Sequence, residues 1–275
     1  MTLTRSQVSD LLARIGRSPS RALGQNFVVD PNTVRRIAGL AGVGDGDRVV
    51  EIGAGLGSLT LALADTGASV TAVEIDPHLV PLLRENVEAR GVRVVEADAM
   101  TVDWQALLGD EPHVLVANLP YNIATPLVAD LLDGVPQITR LLVMVQLEVG
   151  ERLAAHVGDD AYGAVSVKVD YWATARVAGK VPPTVFLPQP NVDSALVAID
   201  RRPDAPATDA PYEVLFGLVR QGFGQRRKML RRSLAGVVSP EAFECAGVRP
   251  EARPEELDVV AWGRLATCCS AHPPS

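Results

Sequence analysis

Residues 49–57 read Val49-Val50-Glu51-Ile52-Gly53-Ala54-Gly55-Leu56-Gly57. A β-branched run leads directly into three alternate glycines, and the helical pattern of Leu59–Ala64 follows. Glycine has no Cβ, so it turns tightly and lets backbone approach a ligand closely. The stretch predicts a strand, a sharp turn and a helix around a ligand site. Alone it does not separate nicotinamide, flavin and S-adenosylmethionine ligands, and a bare strand–helix turn would carry the same glycines.

Working outward, β-branched runs recur at Arg48–Ile52, Ser69–Ile75, Arg93–Glu96, His113–Ala117, Leu141–Gln146, Ala175–Val181 and Ala195–Asp200. Helical patterns such as Leu79–Ala89 lie between the early ones. This alternation predicts an α/β fold, a mostly parallel sheet built from βαβ units. The last two runs have little helix between them, which predicts an antiparallel hairpin at one edge. The Pro- and Asp-bearing stretch Arg202 to Pro211 is the linker candidate. Beyond it, helical patterns cover Tyr212–Gln221, Arg226–Ala235, Pro240–Ala246 and Pro254–Ala266. The expected division is a ligand-binding domain over 1–202, with a helix and ordered loop over 1–30, and a small all-helical domain over 203–275.

The chain has 275 residues, of which 47% are hydrophobic and 21% charged, a balance that excludes extensive disorder. Its apolar runs are too short to span a bilayer, and the first thirty residues lack a signal-peptide pattern, so a cytoplasmic protein with no membrane contact is expected. A monomer is expected. Cys245, Cys268 and Cys269 are odd in number and fit no metal spacing, so free thiols are expected, the last two in a C-terminal tail. The four histidines are scattered, and no metal is expected. The net charge of −7 argues against indiscriminate nucleic-acid binding. Yet residues 217–240 hold Arg220, Arg226, Arg227, Lys228, Arg231 and Arg232 with no acid, and residues 1–29 hold four arginines against one aspartate. Local basic patches on an acidic body suit docking on a specific polyanion, although charge clusters are more often solvated helix faces.

The strand tips supply further polar groups. Glu74 ends the second run, 21 residues after Gly53, where a carboxylate can accept from both ribose hydroxyls. Asp76 is placed to cap a helix opening at Pro77. Asp98 ends the third run and could accept from an adenine amine, and Asn118 ends the fourth. Four successive strands thus present glycine or a polar side chain at the edge where open α/β sheets bind ligands.

The fourth tip continues as Asn118-Leu119-Pro120-Tyr121. An aromatic amine is a poor nucleophile because its lone pair is conjugated into the ring. Acceptors aimed at its hydrogens hold it toward a tetrahedral shape and aim the lone pair at an incoming methyl group. The Asn118 side-chain oxygen and the Leu119 carbonyl can be those acceptors, Pro120 shapes the turn, and Tyr121 offers a flat face for a base. An Asn–Pro turn closing a strand would look alike in isolation.

Asn118–Tyr121 resembles the signature of adenine amine methyltransferases, and its Leu-Pro form resembles the ribosomal RNA adenine dimethyltransferases. Leu23-Gly24-Gln25-Asn26-Phe27 is similar to that family's cofactor-capping motif, the stretch Val185 to Ser194 to its target-base loop, and Phe223 to Leu230 to its basic C-terminal motif. The likeness covers about residues 20–265 and is greatest to the KsgA/RsmA type. It implies a seven-stranded, Rossmann-like class I methyltransferase sheet with a helical C-terminal domain, S-adenosylmethionine as cofactor, and dimethylation of two adjacent adenosines near the 3′ end of 16S rRNA in the assembling small ribosomal subunit. It further implies that Asn26 and the Val28 backbone close over the cofactor. Gly53, Gly55, Glu74, Asp98 and Asn118 would bind it, Tyr121 and Phe186 would sandwich the flipped adenine, and the basic helix from Arg220 to Arg232 would meet RNA phosphates. Many relatives carry a basic residue immediately before the capping motif, where this chain has Arg21 and Ala22, and many are basic proteins.

Three rival readings compete. A large-subunit rRNA methyltransferase of the macrolide-resistance type shares most motifs. A non-catalytic ribosome-assembly factor could keep the fold. An NAD-dependent oxidoreductase leaves Asn118–Tyr121 unexplained, and no Tyr-x-x-x-Lys pair accompanies the glycines.

Overall fold

Val49, Val50, Glu51 and Ile52 are all buried, on both faces of their strand. Such a strand needs cover on both sides, which crossover helices supply. It pairs in parallel with Ser69–Glu74 on one side and His113–Asn118 on the other. The computed structural model describes residues 2–20 and 23–273. Arg21 and Ala22, the departure before the capping motif, lie outside the described residues. The chain divides into two compact units, Met1–Gly150 with Arg176–Asp200 and Glu151–Ala175 with Arg201–Ser275.

In chain order the elements up to the sheet's fifth parallel strand are α1 (Arg5–Arg14), β1 (Phe27–Val28), α2 (Pro31–Ala41), β2 (Arg48–Ile52), α3 (Ser58–Ala64), β3 (Ser69–Glu74), α4 (Val80–Val87), β4 (Arg93–Glu96), α5 (Trp104–Leu108), β5 (His113–Asn118), α6 (Ala124–Gly134) and β6 (Ile138–Gln146). There follow α7 (Leu147–Leu153), α8 (Ala164–Trp172), β7 (Ala173–Val181), β8 (Phe186–Leu187) and β9 (Ser194–Arg201). The chain then continues with α9 (Tyr212–Gly224), α10 (Leu230–Ser233), α11 (Pro240–Ala246) and α12 (Val259–Ala271).

The seven-stranded sheet has the order β4-β3-β2-β5-β6-β9-β7. Strands β2 to β6 pair in parallel, and β9 runs antiparallel to β6. Chain order reverses between β2 and β5, and such a switch point opens a crevice at the strand ends. Val34, Ile37, Leu63, Leu83 and Val87 from the covering helices pack with Val116 and Leu196 in one core. Each fully buried aliphatic side chain contributes roughly 1.5–3 kcal/mol. In the second unit Trp262 of α12 is fully buried in a core with Leu215, Val219, Leu234 and Phe243. No helix among the described residues is long and apolar enough to cross a membrane.

Several expectations change. The boundary expected at 202 is crossed, because 151–175 pack with the C-terminal helices: the Tyr162 hydroxyl donates to the Leu257 carbonyl at 3.0 Å, and the Tyr171 ring lies 5.3 Å from that of Phe216. At the sheet edge β7 does neighbour β9, but their connection is no tight hairpin, since within it β8 pairs with β1 in a separate two-stranded ladder. The helix expected over Arg226–Ala235 shrinks to α10, after a turn that begins where Gln225 leaves helical geometry. Pro254–Glu256 forms only a 3₁₀ turn, and Asp258 caps α12 by accepting from the Ala261 N–H at 2.7 Å. Cys268 and Cys269 are buried in α12 rather than in a tail, and Cys245 is disulfide-bonded to Cys268. Packing α11 against α12 brings together two cysteines 23 residues apart, which spacing alone does not reveal. Cys269 is a free buried thiol.

Candidate active site

The glycine turn leaves β2 with Gly53, Gly55 and Gly57 all at positive φ, a conformation that side chains with a Cβ disfavour. Gly55 has a second reason. A Cβ there would sit 2.9 Å from the Phe27 ring, so the loop ahead of β1 can close onto the turn only over a glycine.

Two carboxylates stand behind the turn. Glu74 is buried, with one oxygen accepting from the Gly55 N–H at 2.7 Å and the other from the Asp76 N–H at 2.9 Å. Burial raises its pKa, and the backbone donors oppose the rise. Glu51 is 2% exposed, and its Oε2 has no hydrogen-bond partner. Burial pushes its carboxyl up to about 8, the nearby Thr60 hydroxyl opposes the rise, and the charge of Glu74 adds to it. The sequence signal for Glu51 is an acid in the otherwise apolar run Val49–Ile52.

At the tip of β5 the Asn118 Nδ2 donates to the backbone carbonyl of Asn26 at 2.8 Å, and the Leu119 N–H donates to the Met144 carbonyl at 3.0 Å. Gly24 packs over this turn, where a Cβ would lie 3.1 Å from Pro120. Gln25 anchors the same loop by accepting from the Ser20 N–H at 2.7 Å and donating to Asp76 at 2.9 Å. Asp76 caps the turn that opens at Pro77, its carbonyl accepting from the Leu79 N–H at 3.0 Å and the Val80 N–H at 3.2 Å. It accepts from the His78 N–H across a turn, and α4 starts only at Val80.

These groups converge. Asn26, Val28, Gly53, Gly55, Glu74, Asn118, Leu119, Pro120 and Tyr121 line one pocket at the β2/β5 switch point. Glu51, Val8, Ile75 and Leu79 are among the other residues of its walls. Two expected residues are not on its lining. Asp98 is half-buried at the tip of β4, with Oδ1 held by the Met100 N–H at 2.9 Å. Phe186 is fully buried, because its antiparallel pairing with Val28 turns the ring into the core. The neighbouring carbonyls of Thr184 and Phe186 both accept from Arg5, at 3.0 Å.

The basic residues belong to the second unit, and all six are exposed. Arg220 lies on α9, Arg226, Arg227 and Lys228 on the following turn, and Arg231 and Arg232 on α10. Arg226 lies 3.6 Å from Glu255 and Arg231 lies 3.2 Å from Glu251. Among the described residues no group of three or more His, Cys, Asp or Glu is arranged to hold a metal.

The sequence profile of the ribosomal RNA adenine dimethylase family matches residues 17–268. The ribosomal RNA small subunit methyltransferase A of Thermobifida fusca is 49% identical over 275 residues, covering 96% of this chain and 95% of its own. Its counterpart from Kineococcus radiotolerans is 49% identical over 282 residues, covering 99% and 92%. Among solved structures, a dimethyladenosine transferase from Plasmodium falciparum superposes with a TM-score of 0.73 at 25% identity, over 86% of this chain and 94% of that one. The 23S rRNA methyltransferase ErmE superposes with a TM-score of 0.69 at 29% identity, over 89% and 99%. With a switch-point pocket joining a glycine turn to an Asn-Leu-Pro-Tyr turn, and a family match over nearly its whole length, the chain belongs to the ribosomal RNA adenine dimethylase family of S-adenosylmethionine-dependent enzymes.

Proposed function

We propose that this enzyme dimethylates the exocyclic amines of two adjacent adenosines in the 3′-terminal hairpin of 16S rRNA, during assembly of the small ribosomal subunit. Relatives named for small-subunit methylation at 42–49% identity support the choice of substrate. The pocket fits the cofactor. Glu51 offers a buried oxygen with no partner, suited to an ammonium group such as that of the methionine part. Both oxygens of Glu74 keep a lone pair for ribose hydroxyls beyond the backbone bonds they accept. Gly53 and Gly55 let the backbone approach, and Asn26 and Val28 cover the pocket, while Asp98, outside the lining at the next strand tip, would meet the adenine edge only where the cofactor extends beyond the pocket.

One observation carries the catalytic assignment, the bond from Asn118 Nδ2 to the Asn26 carbonyl. An amide has one donor end and one acceptor end, so this bond leaves Oδ1 as the acceptor. Asn118 Oδ1 and the Leu119 carbonyl hold the amine hydrogens, and Tyr121 supports the ring that bears them. S-adenosylmethionine supplies an electrophilic methyl group on a sulfonium centre. The protein's part is positioning and support of charge developing on nitrogen, with no strong base required. After the first transfer the amine keeps one hydrogen, so one acceptor suffices for the second round. Phe186 supports the base loop from within the core. Arg220, Arg226, Arg227, Lys228, Arg231 and Arg232 meet RNA phosphates. The enzyme acts as a cytoplasmic monomer.

The ErmE likeness supports a second reading, a large-subunit substrate. The test offers unmethylated small subunits, large subunits and naked rRNA with labelled cofactor, followed by nucleoside analysis. Dimethyladenosine with small subunits alone is expected. Product on large-subunit RNA would replace this reading with the second, and no transfer anywhere would leave a non-catalytic assembly role.

A further inference from the structure

The Tyr121 hydroxyl has a specific partner. It lies 2.8 Å from Oγ of Ser194, a residue with no solvent exposure. Ser194 is the first residue of β9, directly opposite Gln146 at the end of β6, and the Leu147 N–H donates to the adjoining Asp193 carbonyl at 2.9 Å. β6 lies between β5 and β9 in the sheet. The Tyr121 side chain therefore reaches past the end of β6 to a point fixed by β-ladder hydrogen bonds. Burial raises the Tyr121 pKa, so the hydroxyl stays protonated and can share a proton with Ser194.

A phenylalanine would present the same flat face to a base. A hydroxyl adds one thing here, a second anchor far from the backbone. With its Cα set by the turn after β5 and its Oη set by β9, the ring loses the freedom to swing about its side-chain torsions. The same anchor residue ends the segment 188–193 that leaves β8, so one hydrogen bond ties the catalytic turn to the end of that loop.

We infer that Ser194 is a positioning residue that fixes the ring plane of Tyr121 for the target adenine. The inference rests on Tyr121 being the base platform proposed above. A misplacement of about 1 Å at a reacting centre costs up to ~10²-fold in rate. A loosened but still present ring should cost less, roughly tenfold in kcat.

The test is a double-mutant cycle in single-turnover methyl transfer, on whichever unmethylated ribosomal subunit the wild-type enzyme accepts. Ser194→Ala and Tyr121→Phe should each lower the transfer rate by a similar factor, leave KM for S-adenosylmethionine unchanged, and show no further loss when combined. The fraction of product released as monomethyladenosine should rise in all three. Losses that multiply in the double variant, or a wild-type rate in Tyr121→Phe, would overturn the inference. If Ser194→Ala fails to fold, Tyr121→Phe decides alone, since it removes the same bond from the other side. Tyr121→Ala separates the underlying reading: undiminished transfer there would remove Tyr121 as the platform, whereas a severe loss beside a wild-type rate for Ser194→Ala would remove only the role of Ser194.

Discussion

The pocket of the first unit and the basic stretch of the second hold their polar groups in opposite ways. In the pocket, backbone groups grip the functional side chains: Glu74 accepts from the Gly55 and Asp76 N–H groups, and Asn118 donates to the Asn26 carbonyl. Along 220–232 the cationic groups are exposed, and Arg226 and Arg231 lean on the carboxylates of the half-buried Glu255 and the exposed Glu251. Groups fixed by backbone need no reorganisation when charge develops, so each is worth much in a dry site. Exposed charges act through counterion release, and their effect is spread over several residues and weakened by salt. The proposed chemistry therefore belongs to the first arrangement and the proposed attraction of a polyanion to the second.

The comparison breaks most visibly at Asn118. Asn118→Ala should lower kcat by about 10²–10³-fold, the size typical of losing one preorganised polar group. Thermal stability should stay near wild type, and cofactor binding by calorimetry should weaken by less than turnover falls, since Asn118 also lines the cofactor pocket and holds the Asn26 carbonyl. Near-normal turnover would mean that the amine is held elsewhere.

Glu51 tests the same pocket through stability. Its carboxyl is held at about 8 in the folded chain, above its ordinary value, so the folded state binds more protons between those two values. Stability of the ligand-free enzyme therefore falls as pH rises through that window. Glu51→Gln should remove this loss, and its advantage over wild type should grow between pH 5 and pH 9 by on the order of a few kcal/mol. Denaturant melts at the two pH values measure it, and an equal difference at both would show that Glu51 titrates normally.

Gly55→Ala should act on closure of the capping loop. The positive φ and the Phe27 ring both oppose a Cβ, and a left-handed backbone costs a non-glycine residue roughly 1–2 kcal/mol. The expected result is a folded state less stable by roughly 1–2 kcal/mol in denaturant melts, together with weaker cofactor affinity as Phe27 is pushed off the turn. Unchanged affinity would indicate that Phe27 moves aside freely.

The smallest effects belong to the basic stretch. Neutralising Arg227 and Lys228 together should reduce the salt slope of RNA binding by about one to two. Neutralising Arg226 and Arg231 should change it less, because carboxylates already compete for their charge. Equal slopes for the two pairs would show that RNA strips those carboxylates away, and no change in either would make the stretch an ordinary solvated surface.

Legibility in the sequence follows the same divide. The run Val49–Gly57 and the tips at Glu74 and Asn118 could be placed because a strand followed by alternate glycines has few foldings, and parallel strands align their C-terminal ends. Phe186 could not be judged from its loop-like Pro-rich setting, because its direction depends on pairing with Val28, more than 150 residues away in sequence. The basic stretch looked like one helix by composition, yet α9 ends at Gly224 and the chain turns before α10. Residues 151–175 carried no mark assigning them to the C-terminal unit, since that depends on which aromatic faces meet, as Tyr171 meets Phe216.

By itself the sequence determined the α/β class, the cofactor turn and the Asn118–Tyr121 motif, because each rests on local backbone chemistry that short-range spacing encodes. The tertiary structure alone decided that the Asn26 carbonyl orients Asn118, that Ser194 anchors Tyr121 and that Cys245 meets Cys268. Those partners lie 92, 73 and 23 residues apart, and only the packing of strands and helices brings such distant atoms within bonding range.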